Sequence, residues 1–568
     1  MSVRGNWDRR GGDPIGRLGS IDRRRFLRLS GAGAAALVAG AGPYTERALA
    51  ASALTSYPFR LGVASGDPRP TEVVLWTRLA PRPHDEDGRG GMPARKVDVR
   101  WEVAHDEAFR QVVARGRAPA YPELGHSVHV EVGGLRPARR YFYRFKAGAD
   151  TSPVGRTSTV PQLGRAVREL TFAFASCQQF EHGYYTAYRH MAREDLDLVV
   201  HLGDYIYEYG PNRYNAPGGN VRRHNSREPT KLAGYRRRHA LYRDDSNLKA
   251  AHAAFPWVVT WDDHEVENNY ADDIAQHGGS REYFLRRRAA AYQAYYEHMP
   301  LRRFSAPAGP DMRLFRTIAY GDLAHFRVLD TRQYRDDQAS GDGQKPSSAQ
   351  SRAFRRTMTG ASQERWLLGA LGGSSARWNV LAQQAFFAEL DLGSGSSRQF
   401  NMDAWDGYWA ARRRILDYIA TRRVRNPVVL TGDVHANWAN DVLRNFDDPD
   451  SRVVAAEFVG TSISSGGDGS DQRLETQRIR ARNPHVRFFN GQRGYVRCHV
   501  TPERWRTDYR VVPYVSRRGA PVSTRATFVV EAGRPGLQRA GGGRAPSAAA
   551  TSSEVEGDRA RAQRRADE

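Results

Sequence analysis

The chain is poor in cysteine and in lysine. Cys177 and Cys498 are its only two thiols, so a disulfide framework is excluded, although one bridge is not. Only five of its 86 basic residues are lysine, and the rest are arginine. No stretch stays apolar over the roughly 18 residues that a membrane span needs. No basic helix or RNA-binding signature gathers the arginines, which argues against nucleic-acid binding as the main role despite a formal charge of +23. A positive field of that size would still draw phosphorylated substrates toward the molecule.

What is present divides the 568 residues into four parts. Near the start, Asp22-Arg23-Arg24-Arg25-Phe26-Leu27-Arg28 precedes a mild Ala/Gly-rich run, and Ala48-Leu49-Ala50 then offers small residues for cleavage. That order predicts an export signal over residues 1–50. The Arg pair before Phe26-Leu27 resembles a twin-arginine signal, with Asp22 standing where Ser or Thr is usual. Such a signal implies the twin-arginine machinery as a partner, export of already folded protein, and a periplasmic or cell-envelope location.

Residues 55–165 read as β-structure. Val97–Val103 and Val128–Val132 alternate at period two, and Tyr141–Phe145 after Leu135-Arg136-Pro137 resembles the corner and strand of a fibronectin III-type sandwich. This module holds no catalytic cluster and reads as a lid or docking unit. From 168 to 530 strand-like and helix-like stretches alternate. Helices are expected over 184–193, 232–252, 281–298, 363–371 and 407–421. The expected architecture is therefore layered α/β with a smaller N-terminal all-β domain. Residues 531–568 are Gly/Ala/Arg/Ser-rich and are expected to lack fixed structure.

The chemistry gathers at the carboxyl ends of predicted strands, where α/β proteins place their sites. One strand ends in Ala175-Ser176-Cys177-Gln178, and another runs into Gly203-Asp204-Tyr205-Ile206-Tyr207-Glu208. A third ends in Asp262-Asp263-His264-Glu265, followed by Asn268-Asn269. Carboxylates crowded there repel one another unless a cation offsets them. The fourth ends in Gly432-Asp433-Val434-His435, where side chains at i and i+2 share a face and can hold one metal. The aromatic segment Tyr292–Tyr296 reads as a core-facing helix, and Ser464–Gly469 as a Gly-rich surface loop near the site without a P-loop lysine.

In this order the four motifs resemble the calcineurin-like metallophosphoesterases, with departures. Tyr207 replaces the last Asp of that family's Gly-Asp-x-x-Asp, Asp263 replaces an Asn, and Asp433 replaces a His. Cys177 stands where the family's first Asp-x-His would be. These departures are similar to those of the PhoD-like alkaline phosphatases and phosphodiesterases. Phe59–Pro68, Leu75-Trp76-Thr77-Arg78 and Asn490–Val496 extend the resemblance over roughly residues 55–530.

The resemblance implies a metal-dependent hydrolase of phosphate esters that uses Fe(III) and Ca(II), with a metal-activated water attacking phosphorus in line. The oxygen-rich ligand set agrees, since zinc sites favour His and Cys. It assigns Cys177, Asp204, Tyr207 and His435 to iron, with Asp204 bridging. Asp263 and Asp433 go to calcium, and Asn268 helps hold calcium or orients phosphate. His264 becomes the candidate to stabilise the transition state or protonate the leaving oxygen. A phosphodiesterase of the phospholipase D type, acting on phospholipid or teichoic acid-like polymers, is the alternative within enzymes. A non-catalytic exported binding protein is the alternative outside them.

Overall fold

The computed structural model describes residues 56–448 and 450–541. The export signal expected over residues 1–50 lies outside the described residues, as does most of the expected tail. Two sheets stack face to face in the main body. One has ten strands and the other seven. The strands that pack together at this interface are nearly continuous apolar runs, such as Leu170–Ala175, Leu198–Leu202, Trp378–Ala382 and Pro427–Thr431. Runs of that kind are what strands covered on both faces require. Phe172, Phe174, Val200 and Val258 from the first sheet meet Phe326, Val380, Leu430 and Phe458 from the second in one core.

Helices cover the outer faces. Leu232–Arg243, Ser246–Ala254 and Arg281–His298 pack on the ten-stranded sheet, and Gly360–Gly372 and Trp409–Arg422 on the other. The helix expected over 232–252 is in fact two. Asp245 breaks it by capping the second, its carboxylate accepting from the N–H groups of Asn247 and Leu248. The Tyr292–Tyr296 face is core, as its pattern suggested. Tyr292 stacks on Trp261 at 4.1 Å between ring centroids, one residue before the acidic cluster.

The N-terminal module is a β-sandwich, with Val63, Leu75 and Val130 facing Trp101, Tyr143 and Phe145 across its core. It is not a detachable lid, however. Its strands Val63–Arg69, Glu72–Arg78 and Ser127–Val132 continue the ten-stranded sheet, with Ser65-Gly66 pairing in parallel with Pro256-Trp257. Gly66 permits that junction, since a Cβ there would lie 2.6 Å from the backbone oxygens of Trp257 and Pro300. Which open strand edge a module will join is not written in its own alternation pattern. The start of the expected tail is also corrected. Arg534–Gly541 forms an edge strand on Ser523–Glu531, because backbone pairing there needs few apolar side chains.

Many arginines are structural. Arg78, Arg238, Arg243, Arg302 and Arg332 are almost fully buried. Most of their guanidinium groups are spent on backbone carbonyls and carboxylates, as Arg302 is on Asp67, Glu72 and Glu131. Both cysteines are buried and free, so the bridge that composition left open is not formed.

Candidate metal centre

Strands Leu170–Ala175, Leu198–Leu202 and Pro256–Thr260 run parallel in one sheet, and Pro427–Thr431 lies in the other. Their carboxyl ends meet at one end of the stacked sheets. An isolated bridge between Ser176 and Ser462 ties the sheets together there. Each strand breaks into a turn that aims a polar side chain into the gap. Cys177, Asp204, Asp433 and His435 all take left-handed backbone, with φ of 58°, 56°, 63° and 49°. Non-glycine residues adopt that region at a cost, and its recurrence at four neighbouring positions marks a site held by its surroundings. Gly203 makes the approach possible, since a Cβ there would lie 2.5 Å from Asp262.

The turns bring three sets of donor atoms within 4.8 Å of one another. These are Cys177, Asp204 and His435, then Asp204, Asp263 and His264, then Asp204, Asp262 and Asp433. Asp204 belongs to all three sets. Its Oδ1 is buried and has no hydrogen-bond partner among the described residues. Tyr207 Oη donates to Asp204 Oδ2 at 2.8 Å and lies 3.0 Å from His435 Nε2. Six of the sequence candidates thus fall into one cluster with His264. Asn268 touches it through its backbone, whose N–H donates to Glu208 at 2.8 Å. Its neighbour Asn269 donates a backbone N–H to Asp263 at 2.6 Å.

The electrostatics point the same way. Burial, and then the neighbouring Asp204, pushes the Cys177 thiol well above its ordinary value. Burial and surrounding carboxylates do the same to Asp204 and Asp433. Burial and the Arg493 guanidinium drive His435 well down. The shifts of Cys177, Asp204 and Asp433 oppose the ionised forms that bind a cation, and a cation placed among the donors would reverse them, whereas the shift of His435 keeps its imidazole neutral, as a metal ligand must be. The unpartnered Asp204 oxygen and the mix of thiol, phenol, carboxylate and imidazole therefore fit a resident metal.

Four contributors were not singled out in the sequence. Glu208 accepts from His264 Nδ1 at 2.7 Å, and with Asp263 and Asp204 it outweighs burial to hold the imidazole charged. Glu265 is fully buried and accepts the backbone N–H groups of Asp204, Tyr205 and Asp262, so it clamps two of the turns. Arg332 bonds Asp262 and Asp403 and lies 3.8 Å from Asp263, which against the effect of burial it helps keep ionised. Ser465, in the Gly-rich loop expected at the surface, is buried and donates to Tyr207 Oη at 2.8 Å. That loop folds inward because Gly466, Gly467 and Gly469 take positive φ and Arg493 ties it down through the Gly467 carbonyl.

A family model described as PhoD-like phosphatase matches residues 172–509. The chain belongs to the PhoD-like phosphatase family. The model of the PhoD-like N-terminal domain matches residues 45–161. Alkaline phosphatase D of Bacillus subtilis (strain 168) is 57% identical over 547 residues, covering 95% of this chain and 93% of that protein. The solved structure of PhoD superposes with a TM-score of 0.85 at 59% identity, over 87% of this chain and 94% of its own. The chain is accordingly a metal-dependent phosphoester hydrolase, and the clustered donors are its candidate metal-binding groups. In this PhoD-like site, the protein surrounds the donors with groups that fix their orientation, which is what metal chemistry requires of its outer contacts.

Proposed function

We propose that the protein is an exported phosphatase of the alkaline phosphatase type, whose site holds iron through Cys177, Asp204, Tyr207 and His435. Asp263 and Asp433 would hold calcium, with Asp204 shared between the metals. The observation that carries this reading is the convergence of a thiol, a phenol and an imidazole on Asp204, which also stands in an all-carboxylate set with Asp262 and Asp433 and in a set with Asp263 and His264. Thiolate and phenolate donate charge well to Fe(III), and carboxylates alone suit Ca(II). When bound, such cations offset the charge on phosphate oxygens and acidify water at the site.

The chain's own residues supply the rest. Glu208 holds His264 Nδ1, so Nε2 is the atom free to deliver a proton to the departing alkoxide. Arg332 balances the carboxylates from the edge of the cluster, with Nε and Nη1 bonded to Asp262 and Asp403 and Nη2 3.8 Å from Asp263 and 4.0 Å from Asp433. Asn268, half-buried at the end of the same turn, is placed to orient phosphate or complete the calcium shell.

Elemental analysis of the mature protein tests the metals, beside hydrolysis of p-nitrophenyl phosphate and bis-p-nitrophenyl phosphate with and without Ca(II). Iron together with calcium, and Ca(II)-dependent turnover, is the expected result. The better substrate assigns a monoesterase or a diesterase. Folded protein that takes up neither metal and hydrolyses neither compound would point instead to a binding protein. Tyr207→Phe should retain iron in part but shift its visible charge-transfer absorption, and an unchanged spectrum would remove Tyr207 from the iron. Export is proposed from Arg23-Arg24-Arg25-Phe26-Leu27 and the small residues at 48–50. R23K/R24K should leave the unprocessed protein in the cytoplasmic fraction, and normal export of that variant would count against the twin-arginine route.

A further inference from the structure

Beside the metal cluster lies a cavity of about 270 Å³ that takes no part in the chemistry above. Most of its exposed wall is apolar, formed by Phe386, Leu390, Val434, Trp438, Ile479 and Phe489, with Gln344, Asn401 and Thr476 beside them. The apolar side chains belong to one hydrophobic cluster, with Trp438 edge-on to both Phe386 and Phe489. Two contacts fix the cavity against the site. Val434 is the residue between Asp433 and His435, so one turn presents donors to the cluster and a side chain to the cavity. Ala404, on the wall, follows Asp403, which holds Arg332.

The mouth carries charge. Arg473 is exposed there, 5.4 Å from the Phe489 ring centroid, and donates to the His435 carbonyl at 3.3 Å. Arg478 is committed to the carbonyls of Leu392 and Gly393, and Asp406 to Arg412. Glu475 also lines the cavity. Arg473 is thus the cation at the edge shared with His435. An apolar hollow with a cation on its metal-facing rim complements a molecule that is anionic at one end and apolar at the other.

We infer that this cavity is a subsite for the apolar organic group of a phosphate ester whose phosphate lies at the metal cluster. The inference rests on the phosphoester-hydrolase reading of the cluster. At about 30 Å³ for each water-sized volume, the cavity takes a group of about nine heavy atoms. That admits an aryl ring or a short alkyl chain and is too small for the paired acyl chains of a membrane lipid. The preferred substrates are aryl or short-alkyl phosphate esters.

Titration calorimetry of the metal-loaded protein with methyl-, butyl- and hexylphosphonate tests this without turnover. Each buried methylene should tighten binding by about fourfold, so hexylphosphonate should bind at least about a hundredfold more tightly than methylphosphonate. Ile479→Trp fills the cavity from the helix Thr476–Arg482, and Leu392→Trp fills it from a separate loop. Either should cut the preference to about tenfold or less while leaving the methylphosphonate affinity within about twofold. Equal binding of the methyl and hexyl compounds, or a preference that survives both substitutions, would overturn the subsite. Loss of all phosphoester hydrolysis with the chain-length preference intact would count against the hydrolase reading and leave the subsite standing.

Discussion

His264→Ala lowers kcat by at least about a hundredfold and leaves the metal content close to that of the parent protein. The imidazole sits at the rim of the donor cluster, 7% exposed, and its Nδ1 is taken by Glu208 at 2.7 Å. Burial would discharge it, but Glu208, Asp263 and Asp204 together push its pKa well above the ordinary histidine value. With cations on Asp204 and Asp263, the charge and hydrogen bond of Glu208 are what favour the protonated ring. Glu208 acts through it. Glu208→Gln keeps the shape and the hydrogen bond but removes one of the charges that hold the proton. The folded pKa of His264 then falls, and activity that needs the protonated form is lost at a lower pH. The alkaline limb of the kcat profile should move toward neutrality in E208Q, with metal content unchanged. Unchanged turnover in H264A would end the proton-donor role, and an unmoved limb in E208Q would end the positioning role. The two variants should not be additive, since both act on one proton.

The strand ends were legible because parallel α/β sheets put polar turn residues on one edge, and a Cys, two Gly-Asp turns and an Asp-Asp-His-Glu run are visible without a structure. Their convergence follows once the strands are stacked. The contributors that stayed hidden lack such a local mark. Glu208 was in plain view at the end of its motif, but its partner His264 lies 56 residues along the chain. Arg332 follows the strand Ala324–Val328, yet in a chain with this much arginine one more carries no signal. Glu265 looked like part of an acidic turn, and only the fold shows that it accepts three backbone N–H groups. Ser465 was masked by the glycines beside it, whose positive φ turns the loop inward rather than out. The two-helix break at Asp244-Asp245 could have been found, since an Asp before Ser-Asn-Leu is an N-cap signal. The joining of the N-terminal sandwich to the main sheet could not, because it depends on which strand edge is open.

Lowering the pH from 7 to 5 should destabilise the protein by several kcal/mol, and buried histidines are the cause. His201 in the strand Leu198–Leu202 and His239 in the helix Leu232–Arg243 are fully buried, and neither ring nitrogen of either has a partner among the described residues. His201 stacks on Trp257, and His239 on His298 at 4.8 Å. Burial pushes both down to about 3. The unfolded chain holds these groups near the ordinary value of about 6.5. Between those limits the unfolded chain takes up protons that the folded chain refuses. Stability from these groups is therefore complete above about pH 6.5 and drains as the pH falls toward 3. At pH 5 each costs about 2 kcal/mol, so the pair costs about 4 kcal/mol, a large part of the 5–15 kcal/mol typical of a folded protein. His252 and His298 are driven the same way by burial and nearby arginines, which steepens the fall. The raised carboxylates Asp204 and Asp433 act oppositely in metal-free protein, since they gain protons on folding as the pH drops. Comparison with His201→Leu/His239→Leu separates the two effects, because the carboxylates are common to both proteins. In urea unfolding of the metal-loaded forms, the double variant should lose roughly 2 to 3 kcal/mol per pH unit less than the parent between pH 6 and 4. Parallel slopes for the two proteins would mean that these histidines take up protons inside the fold, and the acid lability would then have to come from the metal ligands.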